Sequence, residues 1–225
     1  MSTTSVAPEV RKRILGSRDR FWRPEDFDGS PDAVAQALSR LARSGEVRRV
    51  RRGLYWRGAP TRLGMAPPPA GRLARAVTGG TGSGPAGWSA ALALGLSTQV
   101  ARREAIAVPG RSPRSPGSIR YVSRAASTKR RDERLRPTEV ALLEVLRDWE
   151  GLVEVPAADA VARIEHLASD GTLRLDRVAR ASATEPPRVR ERLRHLLATL
   201  GRAELTEVVR AARSESVRND LALAG

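Results

Sequence analysis

Between positions 36 and 52 the chain concentrates side chains suited to one kind of chemistry. Gln36, Ser39, Arg40 and Arg43 come first, then Arg48, Arg49, Arg51 and Arg52. A glutamine amide can bond adenine through two groups, and a guanidinium can do the same to guanine, when a helix lies in the major groove. The second set is suited to phosphates or to the adjacent minor groove. Four arginines within five residues repel one another, and an anionic partner offsets that repulsion. A solvated basic helix and hairpin without a ligand is the plain alternative, and it leaves the crowding unexplained.

The elements that must hold these groups are legible around them. Ser30 is suited to cap a helix and Pro31 to occupy its first turn. Val34, Ala37, Leu38 and Leu41 recur at helical spacing and define an inward stripe. Gln36, Ser39, Arg40 and Arg43 then face the other way, with Asp32, and Gly45 ends the helix. Val47, Val50, Leu54 and Tyr55 favour strands, and Arg51-Arg52-Gly53 reads as the turn between two of them. Upstream, Pro8 to Ser17 reads as a first helix with Val10 and Ile14 inward. Pro24 starts a short second one, with Phe21, Trp22 and Phe27 as core anchors. Three helices followed by a hairpin, over residues 8–58, have the sequence form of a winged helix-turn-helix.

The remainder divides by charge and composition. The 225 residues carry a formal charge of +15. Residues 1–58 hold 13 basic and 7 acidic side chains, residues 59–135 hold 13 and 3, and residues 136–225 hold 14 and 15. The positive field therefore belongs to the first 135 residues, which favours a polyanion there and another task for the last third. Only Lys12 and Lys129 are lysines. With so much alanine, this points to a GC-rich genome and assigns part of the arginine count to codon usage.

Residues 59–70, GAPTRLGMAPPPA with its preceding Gly58, read as a Pro-rich linker. Residues 71–225 read as a mixed domain. It has a short helix from Gly71 to Val77, a glycine-rich loop at 79–84 and a helix from Trp88 to Leu96. Strands are expected at Glu104 to Val108 and Ile119 to Ser123, joined by a proline-rich turn at 109–116. A strongly basic loop spans 124–136. Five helices follow, opening near Pro137, Ala157, Arg174, Pro187 and Leu205. The expected class is α+β, mainly helical, with an N-terminal winged helix-turn-helix ahead of a domain with few strands and a helical C-terminal part.

Catalytic signatures are sparse. The glycine-rich loop lacks the Lys-Ser/Thr pair of a phosphate-binding P-loop. Gly87-Trp88-Ser89-Ala90-Ala91 lacks the last glycine of a nucleophile elbow. The residues two before Lys12 and Lys129 are Val10 and Ser127, not acids, so the metal-dependent nuclease pattern is missing. His166 and His195 fall on separate helices, and no cluster offers the three or four ligands zinc needs. Cysteine is absent, which removes disulfides and thiolate sites. No run of about 18 apolar residues suggests a membrane span, and the first residues lack the apolar core of a signal peptide. The expectations are no enzyme, no cofactor, no metal and no membrane, in the cytoplasm.

The block VAQALSRLARSGEVRRVRRGLYW, the proline-rich segment, AALALGLSTQV, two strands and a helical tail together resemble the AbiEi-type antitoxin family. The more discriminating part is Leu94-Gly95-Leu96-Ser97-Thr98-Gln99-Val100. Family members often carry proline after it, where this chain has Ala101. The resemblance implies an antitoxin and transcriptional repressor. Such a protein binds inverted repeats in double-stranded DNA at its own promoter and opposes a nucleotidyltransferase-like toxin encoded beside it; the expected state of this chain is a monomer or weak dimer. A stand-alone winged-helix regulator, and an RNA-binding protein built on the basic middle segment, are the alternatives.

Overall fold

The computed structural model describes residues 6–62, 64–113 and 119–211. The chain divides into two compact units, residues 1–72 and 73–225. The class is α+β and mainly helical.

In the first unit, α1 (Val6–Leu15) leads into β1 (Arg20–Trp22), a 3-10 turn at Pro24–Asp26 and α2 (Pro31–Arg43). The hairpin β2 (Arg48–Arg51) and β3 (Leu54–Arg57) follows. Helix α2 forms where the apolar stripe requires it, burying Val34, Ala37, Leu38 and Leu41 against Val10 and Ile14 of α1. Ser30 occupies the N-cap without a side-chain cap bond. The helix ends in a Schellman motif: Glu46 N–H bonds the Leu41 carbonyl at 2.9 Å, Gly45 N–H bonds that of Ala42, and Gly45 takes φ +76°.

Of the expected core anchors Phe21 and Trp22, only Trp22 is buried in the core, Phe21 is half-buried, and both belong to a strand. β1 pairs antiparallel with β3, giving the sheet order β1-β3-β2. β3 is therefore central, and Leu54, Tyr55 and Trp56 are all buried. Tyr55 belongs to the helical core, while Trp56 packs against Phe21, with ring centroids 4.7 Å apart.

The segment expected as a plain linker begins with structure. β4 (Pro60–Thr61) and β5 (Gly64–Met65) pair antiparallel. The Ala66 carbonyl accepts the Trp56 indole N–H at 2.9 Å, and the Arg72 guanidinium lies 5.4 Å from the Trp56 ring centre. A Cβ on Gly58 would come within 2.7 Å of the Ala66 carbonyl oxygen, so only glycine permits this close approach. The physical reason is Trp56 itself, whose apolar face needs a cover that residues 1–58 do not supply. A fragment ending at 58 is therefore expected to be less stable than one ending at 72 by at least about 2 kcal/mol. Thermal melts of the two fragments decide it, and equal midpoints would refute the assignment.

In the chain's second part, α3 (Ala70–Thr78) spans the division between units. β6 (Gly84–Pro85), α4 (Trp88–Leu94), β7 (Glu104–Val108) and β8 (Ile119–Ser123) follow. β7 pairs antiparallel with β6 and parallel with β8. Then come α5 (Lys129–Asp132), α6 (Pro137–Arg147), α7 (Trp149–Leu152), α8 (Ala157–Ser169), α9 (Leu175–Ala181), α10 (Pro187–Thr199) and α11 (Ala203–Val208). Residues 114–116 of the proline-rich turn and 212–213 of the last expected helix lie outside the described residues.

The sequence suggests one ordinary apolar stripe for α6. Instead every residue from Glu139 to Leu146 is buried, because α4, β6, α9 and α10 surround it. The glycine-rich loop packs rather than cradles. A Cβ on Gly82 would meet the Arg130 carbonyl at 2.8 Å, and one on Gly84 the Pro137 carbonyl at 2.6 Å.

The basic loop at 124–136 is corrected most. Arg130 is fully buried on the short α5. It donates two bonds to Glu185, at 2.6 and 2.9 Å, and one to Glu144 at 2.7 Å. Arg124 makes two bonds to Glu144, and Arg147 one to Glu185. A guanidinium enters the interior here because two carboxylates match its donors.

Candidate nucleic-acid interface

The order helix, strand, short helix, helix, then a two-stranded wing paired to the first strand defines the first unit as a winged helix-turn-helix module. Its exposed surface carries the candidate residues unevenly. Gln36 and Arg43 are exposed on the side of α2 opposite its buried stripe. Arg40 is also exposed but sits on the flank toward α1. There it lines a cavity of about 300 Å³ with Arg11, Leu41, Ser44 and Glu46. Ser39 is half-buried, its hydroxyl 3.4 Å from that of Tyr55, and so leans toward the hairpin. The outward pair is thus Gln36 and Arg43, flanked by Arg40 on one side and Ser39 on the other.

Arg48, Arg49, Arg51 and Arg52 are all exposed on the wing. The β2–β3 pairing runs Arg48↔Trp56, Arg49↔Tyr55 and Arg51↔Leu54, with an irregularity at Val50. The bulge breaks strict alternation, so the arginines do not divide evenly between two faces. Arg52-Gly53 forms the tip.

Of the acids near this face, Asp32 is exposed on the first turn of α2, and Glu46 is already engaged. Arg11 bonds both oxygens of Glu46, at 2.7 and 3.2 Å, and holds that carboxyl below its usual range through the hydrogen bonds first and its charge second. Arg57 donates to the Glu46 backbone carbonyl. Among the described residues, Arg40, Arg43, Arg48, Arg49, Arg51 and Arg52 have no ion pair. Six guanidinium groups on one helix and its wing keep their donors for solvent or an anion.

Sequence reasoning missed the supporting layer. Trp56, Gly58 and Ala66 back the wing, and Arg72 donates to the Asp19 carbonyl at 2.6 Å. The available signal was the pairing of Phe21-Trp22 with Tyr55-Trp56, two aromatic doublets that fit opposite positions of adjacent strands. In the second unit the Leu94–Val100 motif is a structured turn. The Glu154 carboxylate accepts from the Ser97 hydroxyl at 2.7 Å and from Thr98 N–H at 3.1 Å. Ser89 accepts from Ala105 N–H. His166 and His195 are both exposed, and no group of three or more His, Cys, Asp or Glu able to hold a metal occurs among the described residues. No described helix is long and apolar enough to cross a membrane.

No protein-family model matches the chain, and no curated protein does. Among solved structures it is similar to the crystal structure of the RV2827C protein from Mycobacterium tuberculosis. The two are 20% identical, and the match covers 100% of this chain and 87% of that one with a TM-score of 0.46. The assignment of the module therefore rests on this chain's own topology.

Proposed function

We propose that the protein is a DNA-binding antitoxin that represses its own operon from the cytoplasm. The observation that carries the DNA half is the set of six exposed arginines around α2 and the wing that have no ion pair among the described residues. In this reading α2 enters the major groove with Gln36 and Arg43 on base edges and Arg40 and Ser39 at the margins. The wing arginines hold phosphates. The antitoxin half is supported by the resemblance of the Leu94–Val100 block and its surroundings, with a nucleotidyltransferase-like toxin as the opposed partner. The RNA-binding alternative has less support, since Arg124 and Arg130 of the basic segment are committed to Glu144 and Glu185.

The test is a gel-shift titration on the DNA upstream of the gene and on scrambled DNA. Arg43→Ala is expected to cost about 1–3 kcal/mol on the specific site and little on scrambled DNA. Arg51→Ala with Arg52→Ala is expected to weaken both DNAs alike and to lower the salt slope by about one unit per lost phosphate contact. Unchanged affinity in both variants would remove the interface. Co-expression with the toxin from the adjacent reading frame tests the other half, and growth arrest despite abundant folded protein would refute it.

A further inference from the structure

Between α1 and α2 the first unit leaves a cavity of about 300 Å³. Its floor is aliphatic, made by Ala7, Ala37 and Leu41. Two of the three are alanines, and larger side chains would close the gap. Further along α1, Val10 and Ile14 fill the core between the helices. The start of α1 is held on both sides of Ala7. Val6 packs on the core beside Gly29, where an added Cβ would come within 3.0 Å of a Val6 methyl. Arg11, one turn after Ala7, is tied to Glu46 beyond the end of α2 by bonds at 2.7 and 3.2 Å.

The rim supplies charge of one sign. Of the charged groups that line the cavity, Arg11 and Arg40 stand against Glu46 and leave one positive charge. Both Glu46 oxygens are taken by Arg11, through its Nε and Nη2. The Ser44 hydroxyl spends its proton on the Leu41 carbonyl. Arg40 is exposed and has no ion pair among the described residues, so its donors are the ones open to a ligand. A carboxylate matches a guanidinium through two parallel bonds. A short aliphatic chain behind that carboxylate would displace water from the alanine floor. A phosphate of DNA has no apolar part to fill the floor, and a cationic or purely apolar molecule would leave Arg40 unmatched.

We propose that this cavity binds a small aliphatic carboxylate, its chain on Ala7, Ala37 and Leu41 and its head on Arg40. Arg40 lies one turn from both Gln36 and Arg43 on α2. A bound carboxylate therefore draws the Arg40 guanidinium away from the margin of the candidate interface and weakens DNA binding. That consequence rests on the DNA-binding reading; the site itself does not.

The experiment titrates the full chain with hexanoate and follows backbone amide shifts by NMR, with acetate and hexylamine as controls. Hexanoate is expected to saturate shifts in α1 and α2 with a Kd of about 1 mM. Acetate lacks the chain and hexylamine has the opposite charge, and both are expected to bind at least about tenfold more weakly. Arg40→Ala removes the head contact, and Ala7→Leu fills the floor from the half-buried first turn of α1. Each is expected to cost at least about tenfold in hexanoate affinity, with amide shifts of the second unit unchanged. In gel shifts at matched ionic strength, saturating hexanoate is expected to weaken the parent's complex with the DNA upstream of the gene at least about threefold. The proposal is overturned by the absence of saturable shifts around the cavity, by controls that bind as tightly as hexanoate, by variants that bind it as well as the parent, or by a DNA complex that hexanoate does not weaken. A chain that binds hexanoate but no DNA would remove the DNA-binding reading and leave the site standing.

Discussion

Replacing Arg130 by Met is expected to destabilise the second unit by about 3–5 kcal/mol, the usual consequence of removing one member of a buried ion cluster. The loss does not come from missing attraction alone. Glu185 and Glu144 would remain in the interior with their charges uncompensated, although Arg147 and Arg124 still reach them from the rim. Adding Glu144→Leu and Glu185→Leu to Arg130→Met is therefore expected to recover much of the loss. Urea unfolding followed by hydrogen exchange in α6 measures both. A single-variant loss below about 1 kcal/mol would mean that water reaches the cluster.

The same cluster gives a pH signature. Burial alone would push the Glu144 carboxyl up, but bonds from Arg124 and the charges of Arg130 and Arg124 outweigh it and hold the group below 4.5. A carboxyl depressed in the folded state contributes stability that is present above its unfolded value and lost as pH falls through the folded one. The second unit should thus lose stability progressively below about pH 4.5. A urea midpoint that stays flat from pH 7 to pH 3 would contradict this.

Trp56→Ala is expected to cost about 3–5 kcal/mol in the first unit, the range for emptying a large aromatic site. The side chain is 1% exposed, packed by Phe21 in front and bonded to Ala66 behind. Trp56→Phe keeps most of that packing and gives up the indole bond, at about 1 kcal/mol. Operator affinity should fall with Trp56→Ala although no candidate contact is altered, because β3 sets the position of every wing arginine. Hydrogen exchange in β2 and β3 separates the outcomes. Protection that survives Trp56→Ala would show that the hairpin does not lean on this residue.

The residues near the candidate site were legible wherever the cause was local. Apolar spacing from Val34 to Leu41 and a glycine at 45 are enough to form and end α2. Glu104–Val108 and Ile119–Ser123 are strands at the positions their composition suggests. What escaped depends on distant partners. Arg20–Trp22 is too short to read as a strand until Tyr55 and Trp56 stand opposite it. Arg130 looks like one more surface cation because Glu185 lies 55 residues on. Arg40 fits the outward face on a helical wheel, yet α1 closes beside it and makes it part of a cavity. Which arginines are spent on carboxylates and which stay available is decided by tertiary packing, so composition overstated the middle segment and was silent about the wing's support.

That 55-residue reach also sets a clock. At about 5–20 residues per second of synthesis, Arg130 waits roughly 3–11 s before Glu185 exists. The first unit holds its own core cluster, from Val10 to Tyr55. For those seconds the nascent chain carries a first unit with its own core, joined to a second in which buried Arg130 on α5 has Glu144 of α6 but not yet the two bonds from Glu185. Chaperone contact or proteolysis during synthesis should therefore fall on the second unit, and its yield should track translation speed between positions 130 and 185 more than anywhere earlier in the chain.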